Sequence, residues 1–208
     1  MPAYFSIDFQ YKKTDLCDTT VKDFFEKLLS CGLIYKSGFW NSENDSLDEI
    51  LVWNQKKLEA NYQLGYRDHY SCNYKQMLFD FYDFSEVRLI INNCSDEESF
   101  SFYLIIPEDD FIEYDDTGTC KRLDYRMKII EEFACCMWKI GDMCCIQSAW
   151  ECSGCVANII DIMAGTEPSI EPFAIVPDHT YHTKWNCSCE KINRKGVILK
   201  NDDNWLYI

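Results

Sequence analysis

Two apolar runs, Val87 to Asn92 (VRLIIN) and Ser99 to Ile106 (SFSFYLII), stand either side of Asn93-Cys94-Ser95-Asp96-Glu97-Glu98. No other feature restricts the fold of this chain as much. β-Branched and aromatic residues in runs of this length, joined by a short polar connection, form an antiparallel hairpin. Phe100, Phe102, Leu104 and Ile106 recur at every second position, so they mark one buried face. A lone hairpin is marginal in water, and that face therefore demands further strands and a covering layer.

The rest of the chain supplies both. YFSIDFQY at 4–11 alternates, with Phe5, Ile7, Phe9 and Tyr11 on one side and Tyr4, Ser6, Asp8 and Gln10 on the other. This is the pattern of a half-buried strand. Thr20-x-x-Asp23 has the form of a capping box ahead of Val21, Phe24, Phe25, Leu28 and Leu29, and Gly32 is the expected stop. Ser46-x-x-Glu49 repeats the signature before Ile50, Leu51 and Leu58. A third helix is expected from Leu123 to Ile140, ended by Gly141, with Leu123, Met127, Ile130, Ala134, Met137 and Trp138 on one stripe. Met143 to Trp150, Phe173 to Val176, Val197 to Leu199 and Trp205 to Ile208 read as strands, with a turn at Asn193-Arg194-Lys195-Gly196. Residues 62–84, dense in Tyr and Phe, show no clear period. The order strand, helix, helix, hairpin, helix, strands is not a βαβ alternation. It predicts one α+β domain over residues 1–208, with a mainly antiparallel sheet and helices packed on one face.

Charge excludes some functions. There are 35 Asp and Glu against 20 Lys and Arg, a net charge of -15, and such a field repels phosphate backbones. A nucleic-acid partner is not expected, and no apolar run is long enough to span a membrane. The opening MPAYFSIDFQYKK alternates and lacks the basic and apolar regions of a signal peptide, which points to the cytoplasm. Thirteen cysteines, an odd number, should in that compartment be mostly free thiols that pack as small hydrophobes.

Six of those cysteines crowd CCMWKIGDMCCIQSAWECSGC at 135–155. Cys135 falls opposite the apolar stripe of its helix, beside Lys128, Glu132 and Lys139, and is the thiol expected nearest water. Cys144 and Cys145 are strand neighbours and face opposite sides. Cys152-x-x-Cys155, with Cys187-x-Cys189 downstream and His179-x-x-His182 between, offers enough ligands for a tetrahedral zinc site. A zinc- or thiol-dependent protein using Cys152, Cys155, Cys187 and Cys189 is therefore the alternative. The C-x-C half and the long separation depart from zinc-ribbon spacing, so the first expectation is no metal and no cofactor. Phosphate loops, dinucleotide fingerprints, nucleophile elbows and H-E-x-x-H are all missing, and no catalytic residue is expected.

The segment that suggests function is Pro107 to Gly118, PEDDFIEYDDTG. Glu108, Asp109, Asp110, Glu113, Asp115 and Asp116 surround Phe111, Ile112 and Tyr114. Aromatic anchors inside a charged rim are how protein interfaces combine affinity with steering, so Glu108, Asp109, Asp110, Phe111, Glu113, Tyr114, Asp115 and Asp116 are the expected partner-binding set. The competing reading is a solvated loop whose acids lie near a helix N-terminus. The opening strand, the strand–helix order, the acidity and this segment together resemble the small acidic immunity proteins with which bacteria guard against polymorphic toxins. The resemblance implies a cytoplasmic, non-enzymatic α+β module that binds and neutralises a basic toxin domain, its carboxylates standing where substrate phosphates would sit.

Overall fold

The computed structural model describes residues 3–60, 74–93, 98–114, 116, 118–151 and 156–201. The first part of the chain forms β1 (Tyr4–Lys12), α1 (Thr20–Ser30), β2 (Ile34–Phe39), α2 (Leu47–Glu59), β3 (Gln76–Asp80), β4 (Val87–Asn92) and β5 (Ser99–Pro107). Then come β6 (Ile112–Tyr114), β7 (Cys120–Arg122), α3 (Asp124–Ile140), β8 (Cys145–Trp150), α4 (Ile159–Met163), β9 (Phe173–Pro177), β10 (Ser188–Ile192) and β11 (Gly196–Lys200). Nine of the strands build one sheet in the order β2-β3-β4-β5-β1-β8-β9-β11-β10, and every named pair is antiparallel. The architecture is the expected α+β sheet with helices laid on it. Among the described residues no helix is long and apolar enough to cross a membrane.

The expected hairpin is β4–β5, in the register Arg88↔Ile105 through Asn92↔Ser101. Phe100, Phe102, Leu104 and Ile106 share the main core with Phe5, Ile7, Phe9 and Tyr11 of β1. Helices α1, α2 and α3 cover this face. Phe24 of α1 stacks on Phe102 at 4.0 Å and meets Phe9 edge-on at 5.3 Å, while Phe133 of α3 meets Phe9 at 6.3 Å. Ile159 and Ile162 of the short α4 pack on the opposite face, in a second core with Ala174, Val176, Val197 and Leu199.

Local signals set the helix ends. Ser46 accepts from the Glu49 N–H and Glu49 accepts from the Ser46 N–H, the reciprocal box expected for α2. At α1 the expected box does not form. Thr19 is the N-cap and its hydroxyl bonds the Asp23 carboxylate at 2.8 Å instead of a backbone N–H. Its other end closes as expected on Gly32, whose φ of +101° lets Gly32 N–H reach Leu29 O and Leu33 N–H reach Leu28 O.

Two features lie beyond the sequence reading. Strand β3 lies in the stretch without a clear period and pairs with β2, for which no strand was expected. The polar side of β1 is not solvated: Asp8 and Gln10 are buried, and Gln10 Nε2 donates to Asp8 Oδ2 at 2.6 Å and to Ala157 O at 2.9 Å. Gln147 Nε2, on the neighbouring strand, bonds the same carbonyl at 2.7 Å, so these amides tie the 157–169 connection across the sheet. The β10–β11 turn falls at the expected residues: Gly196 N–H donates to Asn193 O, and the central Arg194 and Lys195 both take positive φ, 55° and 50°, as in a type I′ turn. The expected strand at 205–208 falls outside the described residues.

Phe9 is the contact on which α1 and α3 close. Phe9→Ala should cost about 3–5 kcal/mol in the free energy of unfolding, measured by urea denaturation. A loss below about 1 kcal/mol would mean that α1 and α3 do not depend on this ring.

Candidate functional site

The acidic segment begins where β5 runs out. Glu108–Phe111 forms one turn of 3-10 helix, and β6 then pairs with β7 in a small ribbon, Ile112↔Arg122 to Tyr114↔Cys120. The turn is fixed at both ends: Glu108 N–H donates to Ala3 O at 2.9 Å, and Leu123 N–H donates to Phe111 O at 2.9 Å.

Phe111 corrects the sequence reading most sharply. It is 0 % exposed and sits among Phe5 at 5.0 Å, Phe84 at 5.6 Å and Trp150 at 5.6 Å. It anchors the segment to the core and is not available to a partner. The 3-10 turn explains this, because it carries Phe111 inward and leaves Asp109 outward.

The carboxylates divide in the same way. Asp110 Oδ2 accepts from both the N–H and the hydroxyl of Ser85 at 2.9 Å, and Oδ1 lies 3.5 Å from Arg126 Nη1. Glu108 Oε1 accepts from the Glu151 N–H at 3.0 Å. Burial lifts the Glu108 carboxyl above its ordinary value; that bond opposes the shift, and the charges of Glu151 and Asp109 add to it. These two acids hold the segment together. Asp109, Glu113 and Asp116 are exposed, and Asp115 lies outside the described residues.

Arg126, in the first turn of α3, is the hub that the sequence did not flag. It pairs with Asp83 at 2.7 Å and with Asp110 at 3.5 Å, lies over the Phe84 ring, and donates to Tyr125 Oη at 3.2 Å. It thereby joins the 82–85 turn to the acidic segment. Tyr82, at φ 48°, is turned outward between the buried Phe81 and Phe84. Each of these elements carries an exposed ring: Tyr82 (74 %) in the turn, Tyr114 (63 %) in β6 and Tyr125 (55 %) in α3. Asp83, Asp109, Glu113, Asp116 and Asp124 are exposed on the same elements, and Lys121 and Arg122 of β7 partly offset the charge. An open groove runs beside the ribbon, lined by Ile112, Glu113, Arg122, Tyr125 and Arg126 among others. Tyr82 and Asp83 were hidden in the stretch without a period, and nothing in the sequence joins Arg126 to them.

The remaining candidates are weaker. Cys152 and Cys155 lie outside the described residues, and among the described residues no group of three or more His, Cys, Asp or Glu is placed to hold a metal. Cys187 precedes β10 and packs against the second core, whereas Cys189 is exposed, so the two do not share a strand face as expected. Cys135 is not the thiol nearest water. It is half-buried, because Lys200 of β11 reaches over that side of α3 to bind Glu131, and its thiol is raised chiefly by burial. Cys17 and Cys189 are the exposed thiols among those described. A cavity of about 300 Å³ is lined by Lys12, Arg194 and Lys195 together with Asp142 and His179. Arg194 there donates to the carbonyls of Trp138 and Met143 at 3.2 Å and stacks on Trp138, so it serves to cap the end of α3.

Comparisons with protein-family models, with curated proteins and with solved structures find no match to this chain.

Removing the hub should loosen the whole segment. Arg126→Ala leaves Asp110 and Asp83 without their cation and should lower unfolding free energy by about 1–3 kcal/mol in urea denaturation. A change under about 0.5 kcal/mol would show that the segment holds its place without it.

Proposed function

We propose that this chain is a cytoplasmic protein-binding module of the immunity type, which binds and neutralises a basic toxin domain through the surface around Arg126. The observation that carries the reading is the set of exposed tyrosines, Tyr82, Tyr114 and Tyr125, on three elements rich in exposed carboxylates, with the 82–85 turn, the acidic segment and α3 linked through Arg126 and Asp110. Tyrosine combines large contact area with few rotamers, and exposed aromatic rings of this kind carry most of the energy of protein interfaces. The net charge of -15 speeds encounter with a cationic partner. Asp110, Glu108 and Phe111 belong to the support of the surface, and Asp109, Glu113 and Asp116 to its rim.

The test takes as its probe a basic toxin domain sought among the products of the genes neighbouring this one. Reversing Asp109, Glu113 and Asp116 to Lys should slow its association at least about tenfold at low salt, with a shallower salt dependence. Truncating Tyr114 or Tyr125 to Ala should instead speed dissociation, each costing about 2 kcal/mol. Unchanged rates in both sets would place the interface elsewhere and return this segment to the role of a structural connection.

A further inference from the structure

Cys31 is the C-cap residue of α1, and Cys136 lies on α3, 105 positions later. Their Sγ atoms are 2.7 Å apart. Two sulfurs that share no bond rest well beyond this distance, while a disulfide draws them to about 2.05 Å. The approach is not a chance of flexible loops. The cap bonds to Leu28 O and Leu29 O fix the backbone on the far side of Cys31, and Cys136 sits in mid-helix between the buried Ala134 and Met137. Both helices are located by the same ring, Phe9, which meets Phe24 and Phe133.

We propose that Cys31 and Cys136 form a dithiol–disulfide site whose reaction partner is a small disulfide of the glutathione class. The two thiols are half-buried, which leaves a path for a small reagent. One cysteine thiolate attacks the small disulfide, forms a mixed disulfide and releases one small thiol. The second thiolate attacks the protein sulfur of that mixed disulfide, closes the Cys31–Cys136 bond and releases the other small thiol. Both cysteine protons leave with the released thiols, and the small disulfide is the species reduced. Burial and the adjacent Cys136 thiol raise Cys31 above the ordinary thiol value. That separates Cys31 from the low-pKa nucleophiles of thiol enzymes and suits a bridge that forms slowly and lasts. The bridge would tie α1 to α3 across the helix layer, and it still leaves most of the thirteen cysteines as thiols.

To test this, the full chain is treated with oxidised glutathione, alkylated in denaturant and digested with trypsin without reduction. Peptide 28–36 should appear joined to peptide 129–139, lighter by two hydrogens than the reduced peptides together. The second peptide holds both Cys135 and Cys136, so Cys135→Ser should keep the joined species, whereas Cys31→Ser and Cys136→Ser should abolish it. Fragment ions of the wild-type species locate the bond independently of any variant. Oxidation should raise the wild-type thermal midpoint by on the order of 10 °C and leave that of Cys136→Ser unmoved. Glutathione found on each cysteine without a joined peptide would overturn the proposal. So would a bond that survives Cys136→Ser, or peptide 28–36 recovered fully alkylated while the exposed Cys17 is oxidised.

Discussion

Strand β1 is hydrogen-bonded along both edges, to β5 in the register Tyr4↔Pro107 to Lys12↔Ser99 and to β8 from Phe5↔Trp150 to Gln10↔Cys145. Among the described strands it is the one that joins the two halves of the sheet. Its odd-numbered side chains enter the main core under α1 and α3, and Asp8 and Gln10 are sealed beneath the connection that follows β8. A strand made first must therefore wait for partners that arrive late in the chain. Such non-local pairing favours slow folding.

The acidic segment inherits its rigidity from β1. Phe5 packs on Phe111, and the backbone just before β1 accepts the Glu108 N–H, so the segment is built outward from the middle of the sheet. Arg126 and Asp110 then bind the 82–85 turn to it. Mutually repelling carboxylates gain little from folding alone, but here Glu108 and Asp110 accept hydrogen bonds, while Asp109, Glu113 and Asp116 are exposed. A rigid rim loses less entropy on binding than a mobile one.

Much of the architecture was legible because alternation and helical spacing report burial directly. The β4–β5 hairpin, β1, α2 and α3 follow from that physics alone. What failed did so for identifiable reasons. Residues 34–39 were missed because β2 is an edge strand with alternating exposure, and Gly38 with Ser37 weakens its pattern. Asp8 and Gln10 read as solvent-facing because period-2 alternation cannot reveal a loop that returns to cover them. Phe111 read as an interface anchor because its neighbours are acidic, yet a single 3-10 turn is enough to point one ring inward while the acids stay out. The Arg126 hub and the Cys31–Cys136 contact both join residues far apart in sequence, and such contacts have no local signature.

The account rests on the acidic segment being a fixed outgrowth of the core and not a solvated loop. Native-state hydrogen exchange on the free chain tests this most directly. The amides of Glu108 and Leu123, bonded to Ala3 O and Phe111 O at 2.9 Å, and that of Ser85, bonded to Asp110, should exchange many times more slowly than in an unfolded chain. Exchange of these three amides at the unprotected rate, while β1 and β5 stay protected, would contradict it.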